Sequence, residues 1–293
     1  MTIGILGAGA LGQLLAHALS DQGFEVSLLR RPGQPRVLRS HQLFSLSGAK
    51  QHHDFTHCGS DQPQPLSVVL VLTKAQDCLS ALTPLLAWLP EDVPLVLLHN
   101  GLGPQQAAAG RWPERPWWAG SLTDGALKLD AHSVRHTGAG QRRVGPLSGV
   151  DTDTPLPASL AALGFVYDEQ ILKALWQKLT VNLLINPLTA RERVCNGALL
   201  AEGYRGELEA LSEEIALVGQ SLGQKEPAHA ILERALGVAE ATAANHSSML
   251  QDVQAGRPTE LGAITGYLLE RAREHNLPCP YHQRLYQQLQ PNT

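Results

Sequence analysis

Cysteine is scarce in this chain of 293 residues: four are present, at positions 58, 78, 195 and 279, and no two stand at CxxC spacing. That spacing suggests neither a zinc site nor a dithiol redox pair, so no metal is expected, and reduced thiols in a cytoplasmic setting are the default. Excess charge is also lacking. The net charge of -4 gives no electrostatic reason to expect nucleic acid or an anionic membrane as a partner. The opening "MTIGILGAGALGQLLAHAL" has no basic leader and is interrupted by Gly4, Gly7, Gly9 and Gly12, so it reads neither as a signal peptide nor as a membrane span. Internal repeats and low-complexity tracts are absent. With 43% apolar and 17% charged residues, the composition is that of a globular protein with room for one large domain or two ordinary ones.

Hydrophobic periodicity divides the chain in two. Residues 2–6 read as a short buried strand, "QLLAHALSDQG" as a helix closed by Gly23, and "EVSLLRR" as a second strand, which makes a βαβ unit. Hairpin-like alternation follows at 36–55. The apolar runs at 67–74 and 93–103 suit strands buried on both faces, with a helix, "AQDCLSALTPLLAWL", between them. Strand and helix thus alternate as in a doubly wound sheet. Glycine-rich alternation at 117–147 predicts antiparallel strands, and 152–157 reads as a loop. Helical patterns then occupy 169–186, 205–223, 228–254, 258–275 and 281–289. The expected organisation is a mixed α/β half with a doubly wound sheet over 1–167, followed by an all-helical half over 168–293.

"GAGALG" places Gly7, Gly9 and Gly12 between a strand and a helix, the context in which G-x-G-x-x-G binds a dinucleotide. The first glycine serves the tight turn, the second the approach to pyrophosphate and the third helix–strand packing. Where an NAD enzyme usually carries an acid, at the end of the second strand, this chain has Arg30 and Arg31. Guanidinium groups bind a 2′-phosphate, so NADP(H) is the expected cofactor. Lys74 and Asn100 end later strands and are placed to meet ligand.

In "ALWQKLTVNLLINP", Lys178, Asn182 and Asn186 lie four apart on an otherwise apolar helix and form one slowly drifting stripe. Buried ammonium and carboxamide groups need partners. The stripe is either a structural network or a binding surface for a small polar anion, with Lys178 as charge and acid. Ser247 and Ser248 on a later helix, and Glu260 in the first turn of another, are ordinary on pattern alone.

Together these segments, with "VLTKAQ", "LLHNGLG", "NHSSMLQD" and "TELGAITGYLL", resemble the ketopantoate reductase (2-dehydropantoate 2-reductase) family over nearly the whole length. The resemblance implies an N-terminal Rossmann-type domain and a helical domain of the 6-phosphogluconate dehydrogenase C-terminal type. It implies NADPH-dependent reduction of 2-dehydropantoate to (R)-pantoate, towards pantothenate and coenzyme A. Lys178 then matches the catalytic lysine, and Asn182, Asn186, Asn196 and Ser248 match substrate-binding positions. Gly7, Ala8, Gly9, Ala10, Leu11, Gly12, Arg31, Lys74, Asn100 and Ala126 match the cofactor side. Glu260 matches a family acid on the cofactor or substrate side, with a role beside Lys178 in catalysis. A small 2-oxo acid is the implied partner of a monomer or homodimer. Other readings stay open: a paralogous reductase of another branched 2-oxo acid or a β-hydroxyacid dehydrogenase, and a non-catalytic NADP(H) sensor, against which Lys178 and Glu260 speak.

Overall fold

The computed structural model describes residues 1–150 and 154–290, so positions 152 and 153 of the loop-like stretch lie outside the described residues. Contacts divide the chain into two compact units: residues 1–99 with 104–172, and residues 100–103 with 173 onward.

The first unit opens with the βαβ turn: β1 (Thr2–Leu6), α1 (Ala10–Asp21) and β2 (Glu25–Arg30). There follow β3 (Val37–Phe44), β4 (Lys50–Gly59), β5 (Val68–Val71), α2 (Cys78–Leu86), β6 (Leu95–Leu97) and α3 (Pro104–Arg111). Then come β7 (Trp117–Leu122), β8 (Gly125–Lys128), β9 (Ser133–Gly138), β10 (Arg142–Ser148), α4 (Ala158–Ala162) and β11 (Val166–Tyr167). Among the described residues these strands form one sheet of eleven, in the order β11-β10-β7-β6-β5-β1-β2-β4-β3-β9-β8. From β7 to β4 every neighbouring pair is parallel. Antiparallel pairing returns at β10 on β7, β3 on β4 and β8 on β9, which accounts for the alternating runs at 36–55 and 117–147.

The central parallel strands β5 and β6 are apolar and buried at every position because both faces are covered. Successive residues go to opposite sides, as the two-residue period requires. Ile5, Leu28, Leu70, Val96 and Trp118 enter one core with Leu15 and Leu19 of α1. Leu6, Leu29, Val69, Val71, Leu97 and Trp117 enter the other with Leu82 and Leu85 of α2. Helices on both faces of a parallel sheet are the doubly wound arrangement that the alternation predicts.

The second unit is helical: α5 (Ile171–Glu192, whose first two residues fall to the first unit), α6 (Arg205–Ser221), α7 (Ala228–Ala241), α8 (Ser248–Gln254), α9 (Tyr267–Glu274) and α10 (Pro280–Leu289). Leu208, Leu211, Ile215 and Val218 give α6 a buried stripe at helical spacing. Two boundaries differ from the sequence expectation. The pattern stops the long helix at 186, before a proline, yet α5 continues through Pro187 to Glu192. Residues 183–190 are buried without a break. Four large apolar side chains in that run, each worth about 1.5–3 kcal/mol on burial, outweigh the roughly 3 kcal/mol cost of an interior proline. The single helix expected over 228–254 is two, because 243–246 is an exposed stretch with no apolar residue larger than alanine to bury.

Candidate functional site

The glycine turn connects β1 to α1, and each glycine has a distinct steric reason. Gly7 has φ 109°, and a Cβ there would stand 2.5 Å from the Leu72 carbonyl carbon and the Thr73 nitrogen. On Gly12 a Cβ would stand 2.2 Å from the Gly7 carbonyl oxygen, so only glycine lets α1 close on the turn. Around Gly9 a Cβ would meet nothing within 4 Å. Gly9 is exposed and caps α1 without a side chain, which leaves the first-turn N–H groups to a ligand. The turn therefore fits a pyrophosphate: crowded beneath, open above. Ala126 of β8 packs with Ala10 and Leu11 in the small cluster around Leu14, Leu43 and Val134, which brings that position beside the turn. Lys74 is half-buried in extended conformation just after β5, preceded by Thr73, whose hydroxyl oxygen is buried without a hydrogen-bond partner.

The two arginines at the end of β2 differ. Arg31 is exposed, whereas Arg30 donates from Nη1 to His57 Nδ1 at 3.0 Å. Close by, the Asp61 carboxylate accepts the Gly33 N–H at 3.0 Å. The Arg30 bond begins a chain of polar contacts that sequence reasoning missed. His57 Nε2 meets His41 Nε2 at 2.8 Å, His41 Nδ1 meets Gln13 Oε1 at 3.1 Å, and Gln13 Nε2 donates to the carbonyls of Ala8 (3.3 Å) and Ala131 (3.4 Å). An arginine only donates, so the direction is set throughout: His57 accepts at Nδ1 and donates at Nε2, and His41 accepts at Nε2 and donates at Nδ1. Burial, then the neighbouring His57, pushes the His41 pKa down to about 3. Burial, then the Arg30 charge, pushes His57 down to about 4. Both rings are neutral near pH 7, as the chain of donors requires.

In the second unit Lys178 and Asn182 of α5 are half-buried and Asn186 is 6% exposed. Leu175, Trp176, Leu179, Leu183, Leu184 and Ile185 around them are buried, so the stripe is polar within an apolar helix. Asn100 belongs to this unit, and its Nδ2 donates to Glu260 Oε2 at 3.1 Å. The segment is held there by Leu102 N–H, which donates to the Ala263 carbonyl at 3.3 Å, and by Gly101, where φ is 81° and a Cβ would stand 2.5 Å from that same oxygen. Glu260 does not sit inside a helical turn as expected. It precedes one, its carbonyl accepting from Ala263 and Ile264 at 3.1 Å, and the turn that follows, Gly262–Gly266, is a π-helix, a feature frequent at functional sites.

Asn196 is buried, donates from Nδ2 to Thr242 Oγ1 at 2.9 Å and leaves its Oδ1 without a partner, an acceptor in search of a donor. The serine pair divides its work. Ser247 is buried and caps α8, accepting from Leu250 N–H at 3.1 Å and from Thr189 Oγ1 of α5 at 2.7 Å. Ser248 is the exposed first residue of α8. The structure thus brings Asn100 to Glu260 and sets Ala126 on the same small cluster as Ala10, while Lys178, Asn182 and Asn186 share one helix.

A glycine turn on a doubly wound sheet, and a helical unit carrying a lysine–asparagine stripe, define the class: a Rossmann-type oxidoreductase that uses a nicotinamide dinucleotide. Comparison with known proteins agrees. The family model described as "Ketopantoate reductase PanE/ApbA" matches residues 3–149, and its C-terminal counterpart matches 170–292. The 2-dehydropantoate 2-reductase of Vibrio cholerae is 36% identical over 293 residues, covering 99% of this chain and 97% of that protein. Among solved structures, the probable 2-dehydropantoate 2-reductase of Bacillus subtilis superposes with a TM-score of 0.79 at 27% identity, covering 98% of both chains. D-mandelate dehydrogenase with NADH and anilino(oxo)acetate superposes with a TM-score of 0.87 at 19% identity, covering 98% of this chain and 97% of that one; this likeness is one of fold. The chain belongs to the ketopantoate reductase family.

Proposed function

We propose that this chain reduces 2-dehydropantoate to (R)-pantoate with NADPH, a step towards pantothenate and coenzyme A. The observation that carries the reading is the concentration of the family's polar residues in one unit: the Lys178–Asn182–Asn186 stripe, the Asn100–Glu260 bond and the unsatisfied Asn196 acceptor.

The bound dinucleotide supplies a hydride to C2 of the 2-oxo acid. As that carbon is reduced, negative charge grows on the ketone oxygen. Lys178, protonated, stabilises that charge and delivers the proton that completes the alcohol. Asn182 and Asn186 offer donors and acceptors to the substrate's hydroxyl and carboxylate, and Asn196 Oδ1 offers an acceptor. Ser248, exposed at the first position of α8, offers a hydroxyl to the carboxylate. Glu260 holds the Asn100 carboxamide in place through its Oε2. Gly7 to Gly12 receive the pyrophosphate, with Lys74 and Ala126 beside the same ligand.

Arg31, exposed at the end of β2, is the candidate for the cofactor's 2′-phosphate, whereas Arg30 is held by His57. Charge-assisted hydrogen bonds of about 1.5–3 kcal/mol correspond to a preference for NADPH over NADH of roughly 10- to 150-fold. Arg31→Ala is expected to erase most of that preference in titrations with each cofactor. Equal affinities in the parent chain would reject the NADP assignment.

The activity itself is tested by following NADPH oxidation when 2-dehydropantoate is added, beside a panel of other branched 2-oxo acids. Lys178→Ala is expected to lower kcat by roughly 10²- to 10⁴-fold. Faster turnover of another 2-oxo acid would move the specificity, and binding of NADPH without turnover of any of them would make the chain a sensor.

A further inference from the structure

Five histidines from separate parts of the chain gather in the first unit, on the side of the β3–β4 pair that carries Phe55. His17 and His53 face each other with Nδ1 atoms 2.9 Å apart. Beside them, His41, His57 and His132 each offer one ring nitrogen such that all three lie within 4.8 Å of one another. We propose that His41, His57 and His132 form a binding site for one divalent transition-metal ion of the zinc class.

The geometry is near what such an ion needs. Zinc–nitrogen bonds of about 2.05 Å in a tetrahedron place the nitrogens roughly 3.4 Å apart. The His41–His57 pair, at 2.8 Å, has to open by about 0.6 Å, and His132 has to close in by no more than about 1.4 Å. Ring rotations of that size are small because the backbone is already placed. His41 and His57 stand four register positions apart on paired strands, hence on one face of the sheet. His132 is tied beside them, its carbonyl accepting from Gln42 N–H at 2.8 Å and its own N–H donating to Asp130 Oδ1 at 2.8 Å.

The surroundings also fit. His41 donates its Nδ1–H to Gln13, so its Nε2 turns a lone pair inward, the tautomer of a metal ligand whose other nitrogen is held by a fixed acceptor. His41 and His57 are buried, while His132 is half-buried and leaves a way in for the ion and for water at a fourth position. Three imidazoles without a carboxylate suit zinc, nickel or copper rather than magnesium or calcium.

One group opposes the ion. Arg30 holds His57 in the tautomer whose Nε2–H points at His41, where the ion would sit. For metal to bind, that proton moves to Nδ1 and Arg30 turns away. Arg30 is an exposed side chain, so its release is feasible, and the ion and the Arg30–His57 bond become alternatives.

The test uses the full chain stripped of metal, titrated calorimetrically with zinc chloride and followed in visible absorption with cobalt chloride. One ion per chain is expected, with the spectrum of four-coordinate cobalt. His132→Asn and His41→Gln are expected to weaken binding at least tenfold, and Arg30→Met to tighten it. His229→Asn, at an exposed position elsewhere, should change nothing. If His41→Gln does not fold, the half-buried His132→Asn decides alone. Unchanged affinity in a folded His132→Asn chain, or no tightening in Arg30→Met, overturns the proposal.

Discussion

At Gly9 and Gly12 two glycines of one motif separate folding from binding. A methyl group at Gly9 has open space and ordinary backbone angles (φ -73°, ψ -165°). Gly9→Ala is expected to lose no more than about 1 kcal/mol of stability, the cost of alanine at an N-cap, while weakening dinucleotide binding if the pyrophosphate sits where we propose. At Gly12 the methyl group would collide with the Gly7 carbonyl at 2.2 Å, so Gly12→Ala should lower both stability and cofactor affinity. Denaturant midpoints and cofactor titrations on the two variants check this, and equal destabilisation of both would contradict it. The glycine turn was legible in the sequence because its three glycines fall within six residues, directly between a strand and a helix. The histidine group was not: its members and their support span Gln13 to His132, and only the register of β3 on β4 brings His41 and His57 to one face. Counting cysteines alone passed it over.

At the scale of elements, α5 carries the stripe and also fastens its neighbour. Thr189 donates to Ser247, and Ser247 caps α8. Ser247→Ala is expected to cost about 0.5–2 kcal/mol and Thr189→Val about 1 kcal/mol, with less than the sum in the double variant because the two share one bond. Chemical denaturation of the four chains measures this; full additivity would mean that the bond contributes nothing. The elements themselves were readable wherever an apolar period ran long enough, as in α1, α5 and α6. The short helices α3 and α4, of eight and five residues, left no such period to detect. The break after α7 was hidden by "TAAN", which reads as passably helical until Ser247 is recognised as a cap. The stripe on α5 was visible by spacing, but the pairing of Asn100 with Glu260 joins residues 160 apart, and no local pattern encodes it.

Across the whole molecule, acid should act through a buried pair in the second unit. Glu214 accepts the N–H groups of Tyr281 (2.7 Å) and His282 (2.9 Å) and the His282 Nδ1–H (2.7 Å). Burial pushes the Glu214 carboxyl up, but the bonds from His282 and Tyr281 outweigh it and hold the group below its ordinary value of 4.5. Burial pushes His282 below 6.5 against the pull of Glu214. In both cases the unfolded chain takes up the proton first as pH falls. Stability is therefore expected to decline from about 6.5 downward and more steeply below about 4.5. Denaturant midpoints at pH 7, 5.5 and 4 test the sign; a flat profile would remove this pair from the account.

The segment Asn100–Gly103 adds a matter of timing. It lies between stretches of the first unit in the chain yet belongs to the second. On a ribosome making about 5–20 residues per second, Asn100 is available roughly 8–32 s before Glu260 exists to receive it. The sheet has its last strand in hand by residue 167, well before that carboxylate is made. The first unit can be built while this loop is still unfastened, and only once residue 260 has been made does the loop acquire its anchor.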